Sequence, residues 1–206
     1  MTTFRGTTHV ATAALMLAAM TACADNRKDP EPSGSPTASS TVPSTAPSTP
    51  PSDQAIASEA ASELLRKFYD VRNQLRQNPE RALGPLDTVA ISTELAAQQN
   101  LFKKEREEGL HQTGETEIAE LTVQAVNLDN SDPRSGKVPT VQIDVCFDVS
   151  GVDLIGPDGK SVVSPDRPDT GWIRYSVANY GWDSNPESGW RVASSQDIER
   201  APCAAS

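Results

Sequence analysis

The chain has 206 residues, and its 28 acidic against 18 basic side chains give a formal net charge of −10. That excess argues against a nucleic-acid partner, because phosphate binding runs on lysines and arginines that release counterions, and against docking on anionic lipid through a basic patch. Two histidines (His9, His111) and three cysteines (Cys23, Cys146, Cys203) narrow the available metal and acid–base chemistry further.

Arg5 precedes the apolar run VATAALMLAAM over residues 10–20. About 20 apolar residues are needed to cross a bilayer, so this run is too short to span and reads as the core of a secretory signal. The following Met20-Thr21-Ala22-Cys23 resembles a bacterial lipobox, with Met20 where leucine is commoner. The resemblance implies a diacylglyceryl group on the Cys23 sulfur and cleavage just before it. Cys23 is then the first mature residue, held by acyl chains such as palmitate at the extracytoplasmic face of the cell membrane. One acyl chain holds marginally and two hold stably, at about 0.8 kcal/mol per buried methylene. The competing reading is an ordinary secreted protein with a cysteine near its cleavage site. Residues 1–22 are thus expected to be a lipoprotein signal peptide.

Residues 23–53 follow as the lipidated cysteine and a tract dominated by Pro, Ser and Thr. With almost no apolar side chains it cannot offset the entropy of ordering. It predicts a disordered tether biased toward extended polyproline II, and its Ser and Thr beside Pro suit O-glycosylation.

Residues 54–206 read as one α+β domain. Ala61, Leu64, Phe68, Val71 and Leu75 recur at helical spacing and predict one apolar helix face, ended by Asn78-Pro79. A second, shorter helical stretch is predicted over 79–83. A third covers 92–108, with Leu95, Gln98, Gln99 and Phe102 inward and Gly109 as its stop. The period then switches to two. Residues 116–127 read as a strand with a phase shift, suggesting a bulge, between the Ile118/Leu121 and Val123/Val126 pairs. Residues 140–149 form the clearest strand, with Val141, Ile143, Val145, Phe147 and Val149 on one face. Gln142, Asp144, Cys146 and Asp148 share the other. Pro157-Asp158-Gly159 is turn chemistry between 152–155 and 161–163, and 172–178 and 189–194 read as two further strands.

Helices first and an antiparallel meander afterward is an α+β order. The plan is similar to the NTF2-like (SnoaL-like) cone, in which N-terminal helices pack on a curved antiparallel sheet. The stretches DVCFDVSGVDL, SVANYGW and GWRV before a terminal cysteine resemble a group of actinobacterial lipoproteins of unknown function. That resemblance covers roughly residues 55–203 and implies no catalytic residues.

With Cys23 assigned to lipid, Cys146 and Cys203 remain as an even pair in an oxidising compartment, which predicts a structural disulfide. It would close a loop of about 58 residues, for which chain entropy gives roughly 4 kcal/mol. The alternative is two free thiols, although the sequence has no CxxC. His111 is expected in a loop past a helix end, where no partner for a general base is visible. Asp144 and Asp148, about 13 Å apart along a strand, are too far apart to share a proton and read as a solvated face. Trp172, Tyr175, Tyr180, Trp182 and Trp190 are expected mainly to fill the core and its rim, or else to line a cone mouth that takes an apolar ligand or a partner. No metal and no cofactor are expected.

The sequence therefore predicts a membrane-anchored lipoprotein with a non-catalytic binding or assembly domain and an envelope protein as possible partner. Two alternatives stand beside it: a small-molecule binder or weak enzyme using the cone pocket, and an accessory protein of an envelope secretion or phage-exclusion system.

Overall fold

Ser52 turns the chain into its first helix: the hydroxyl accepts from the Ala55 backbone N–H at 3.2 Å, satisfying a donor that a helix start leaves open. The computed structural model describes residues 50–204. The expectations for the signal peptide, for Cys23 and for most of the tether lie outside the described residues. Helix α1 (Asp53–Gln77) buries Ala57, Ala61, Leu65, Phe68, Tyr69 and Leu75. The expected face is therefore rotated. Leu64 and Val71 pack at its edge, while the row at four-residue spacing from Ala57 through Tyr69 meets the sheet. Spacings of three and four describe overlapping faces, and the partner surface selects between them.

No helix forms over 79–83, contrary to expectation: residues 79–80 turn, and the next element is a 3₁₀ turn, Gly84–Thr88, with Pro85 in its first positions. Five residues cannot repay the cost of nucleating an isolated α-turn. Helix α2 (Ser92–Glu107) forms as the spacing predicts, and Gly109 ends it at φ +69°. Its entry is fastened to the sheet: Ile91 N–H donates to Val192 O at 2.9 Å, and Val192 N–H donates to Val89 O at 2.9 Å.

The strands are β1 (His111–Thr113), β2 (Glu117–Asn127), β3 (Thr140–Asp148), β4 (Asp153–Ile155), β5 (Thr170–Asn179) and β6 (Trp190–Asp197). An antiparallel sheet runs in the order β2-β3-β5-β6, and β1 and β4 pair as a separate two-stranded ribbon. His111 thus lies in a strand opposite Ile155, not in a loop. Backbone pairing with a strand some forty residues later draws in a segment whose own sequence shows only a helix end. The register of β2 slips twice, between Ile118 and Glu120 and between Val123 and Ala125. Those bulges bring Ile118, Leu121, Val123 and Val126 opposite Phe147, Val145, Ile143 and Val141, so the irregular apolar spacing lands on one face.

The core lies between α1 and the face of the sheet carrying Val141, Ile143, Val145, Tyr175, Val177 and Val192. Phe68, Tyr69 and Tyr175 meet there edge to face with centroids 5.9–6.2 Å apart, an arrangement that aligns ring edges with neighbouring π-faces. Among the described residues no helix is long and apolar enough to cross a membrane.

The opposite sheet face departs from the expectation of a solvated surface. Asp144 is fully buried, beneath a C-terminal tail that folds back across it, and Asp148 is nearly so. Cys146 and Cys203 form a disulfide with Cα atoms 6.4 Å apart. Ile198 N–H donates to Trp172 O at 3.1 Å, and the Trp172 indole Nε1 donates to Ala201 O at 2.9 Å. Arg174 forks onto Asp144 at 2.6 and 2.9 Å, and Arg200 reaches the same carboxylate from the tail at 2.5 Å.

Candidate ligand-binding cleft

At the end of the sheet where β3 finishes and β5 begins, an apolar cleft of about 500 Å³ opens between the sheet and α1. Phe147 forms its floor. A Cβ on the paired residue Gly171 would stand 2.6 Å from Phe147 Cζ, so the far end of the ring occupies the space that a side chain there would need. Val149, Val152 and Pro168 continue the apolar wall, and Trp172 and Ile198 close the far side. A smaller recess of about 170 Å³, lined by Tyr69, Arg72 and Ile173, shares Arg76, Thr116, Phe147 and Val149 with the cleft.

A buried polar network holds the helix wall in place. Arg76 forks onto Glu105 through Nε, at 3.0 Å, and Nη2, which ties α1 to α2. Gln112, only 2% exposed, donates to Asn73 Oδ1 at 3.1 Å. Asn73 in turn donates to Thr116 O and accepts from Thr116 N–H, both at 3.0 Å. Every member has a partner, the condition under which a buried network rigidifies its surroundings. Charge on Arg76 is neutralised by Glu105 in the process.

Arg72 differs from its neighbour one turn on. Its guanidinium stacks over Phe68 at 5.3 Å and Tyr69 at 5.6 Å, a favourable cation–π placement. Among the described residues it forms no ion pair, and its buried Nε has no hydrogen-bond partner. Arg167, on the cleft's sheet side, donates through Nη2 to Val149 O and Val152 O at 2.6 and 3.0 Å. Its Nε is likewise buried without a partner. Such atoms are uncommon in native interiors and point to an unfilled polar role.

Beneath Arg72 the hydroxyls of Tyr69 and Tyr175 lie 3.0 Å apart. Burial pushes the Tyr69 phenol well above its ordinary pKa, and the neighbouring Tyr175 adds to the effect. Burial raises Tyr175 as well. Both therefore stay protonated at neutral pH and can act as donors. On the tail side, the hydrogen bond from Arg174 holds the Asp144 carboxyl below its ordinary pKa against the opposing effect of burial.

The five aromatic residues singled out in the sequence do not converge. Tyr175 and Trp190 lie in the core at 1% exposure, and Tyr180 is 48% exposed in a turn. Trp182 packs edge-on against Trp190 at 5.9 Å. Trp172 lines the cleft, with the Arg200 guanidinium 4.9 Å over its ring. Arg72, Arg76, Arg167 and Phe147 carry the cleft, and sequence reasoning missed them. Their one available signal is that Arg72 and Arg76 are one helical turn apart, next to aromatic Phe68 and Tyr69. Among the described residues no group of three or more His, Cys, Asp or Glu side chains could hold a metal ion.

No family model and no curated protein matches the chain. Among solved structures it is similar to the crystal structure of the intermembrane space region of the chloroplast protein ARC6, at a TM-score of 0.48 and 15% identity, covering 69% of this chain and 96% of that one. At that level of likeness nothing of the neighbour's role transfers.

Proposed function

We propose that the chain is a lipoprotein held through Cys23 at the extracytoplasmic face of the cell membrane, and that its domain is a non-catalytic binding module of the NTF2-like, cone-shaped kind. The anchoring half rests on the Met20-Thr21-Ala22-Cys23 run, set between a short apolar segment and a Pro/Ser/Thr tract. Support for the cone comes from helix α1 lying over one face of an antiparallel sheet whose first long strand carries two bulges. The binding half rests on one observation: an apolar cleft beside two arginines with no acidic partner among the described residues.

Fractionation of cells carrying Cys23→Ser tests the anchor. The wild-type chain is expected in the membrane fraction and the variant in the soluble extracytoplasmic fraction. Blocking the lipoprotein signal peptidase should leave a heavier, unprocessed chain. Unchanged membrane retention of the variant would refute the anchor.

A further inference from the structure

We propose that the cleft binds an amphipathic monocarboxylate: a single-chain or aromatic acid whose headgroup meets Arg72 while its apolar body lies along Phe147, Val149 and Val152. The inference rests on the binding role assigned to this cleft above. Its volume of about 500 Å³ falls inside the range of roughly 300–1,000 Å³ common to small-molecule sites.

The polarity of the site sets the orientation. Asp197 lies on the wider cleft, beside Trp172, and repels an anion there. In the inner recess Glu105 already neutralises Arg76, which leaves Arg72 as the lining cation with no ion pair among the described residues, although the buried Glu94 acts on the same two tyrosines. Within the recess one unpaired cation matches one negative charge, Arg167 standing outside it on the wider cleft, so a monoanion fits there where a phosphate dianion or a dicarboxylate would be left partly unpaired. A carboxylate at the Arg72 guanidinium, which lines the recess and whose Nε has no partner in the protein, completes a charge-assisted hydrogen bond. The Tyr69 ring lines the same recess, and its hydroxyl is engaged with Tyr175. On a chain of net charge −10 the local excess of guanidinium is a site property and not a general one.

Titration calorimetry on the full chain carrying Cys23→Ser, which removes any acyl anchor and the need for detergent, tests the assignment. The probes are decanoate, decan-1-ol and decyltrimethylammonium below their micelle concentrations. Decanoate is expected to bind about ten- to hundredfold tighter than the alcohol, the effect of one charge-assisted hydrogen bond, and the ammonium weakest. Arg72→Gln should remove the preference for decanoate, and Arg72→Lys should keep most of it, with thermal melts confirming that both fold. Equal affinity for all three probes overturns the ligand class and leaves the cleft as an apolar binder. Absence of binding by any probe to about 1 mM, a threshold near −4 kcal/mol, overturns both the class and the binding role, while the anchor is judged separately by fractionation.

Discussion

Asp144 shows how one side chain can hold two distant segments. Its carboxylate is fully buried and accepts from Arg174 on the adjacent strand and from Arg200 on the tail. Burying a carboxylate is costly unless it is paired, and removing it strands its partners. Both arginines are about one-third exposed, so water recovers part of the loss. Asp144→Asn is expected to destabilise the domain by about 2–3 kcal/mol, below the range for fully buried pairs, and to lower Tm by roughly 4–12 °C. The pH dependence has a definite sign. The folded-state pKa is depressed by Arg174, so the stabilisation is fully present above the unfolded value near ~3.9 and is lost as pH falls through the folded value. Urea midpoints measured from pH 6 to pH 2 should show the wild-type advantage over Asp144→Asn constant at the upper end and shrinking below about pH 4.

Among the elements, the short ribbon and the tail depend on single contacts that their own sequences barely announce. Gly114 follows β1 at φ +70°, and a Cβ there would stand 1.9 Å from the backbone oxygen of Gly151. An opposing backbone cannot rotate away as a side chain can. Gly114→Ala should therefore combine left-handed strain with a steric clash, at a cost of about 2–4 kcal/mol, read as a lower urea midpoint. The tail is closed by the Cys146–Cys203 bridge across a sequence separation of 57. Cys203→Ser is expected to cost about 2–4 kcal/mol by the chain-entropy account. It should also change Trp172 fluorescence as Arg200 leaves the ring. Alkylation without reductant should label neither thiol of the wild-type pair; labelling of both would contradict the bridge.

For the whole molecule, the proposed anchoring and the proposed binding rest on different parts of the chain. Anchoring through Cys23 needs only acyl chains, since two together hold a protein on a bilayer without any spanning helix. That is why one sulfur-to-oxygen change is expected to move the entire chain between fractions. The proposed binding depends instead on α1 being held over the sheet end by the Arg76–Glu105–Gln112–Asn73 network, which joins α1, α2 and β1. Cys23 is not a member of that network, so Cys23→Ser is expected to change localisation without changing ligand affinity.

The sequence by itself determined the α+β order, helix α1 and helix α2 to within a few residues, the four long strands, and the pairing of Cys146 with Cys203. The elements rest on apolar spacing near 3.6 or 2, and the cysteine pairing on the expectation that lipid takes Cys23 and leaves two. Only the tertiary structure decided that residues 79–83 form no helix, that His111 pairs with Ile155, that Asp144 is buried, and that the aromatic residues separate. It also decided the cleft, whose arginines come from α1 and from a loop before β5. On the helix, Arg72 reads as an ordinary polar-face residue. What sets it apart is that no carboxylate among the described residues pairs with it, a property of three-dimensional neighbours that local pattern does not encode.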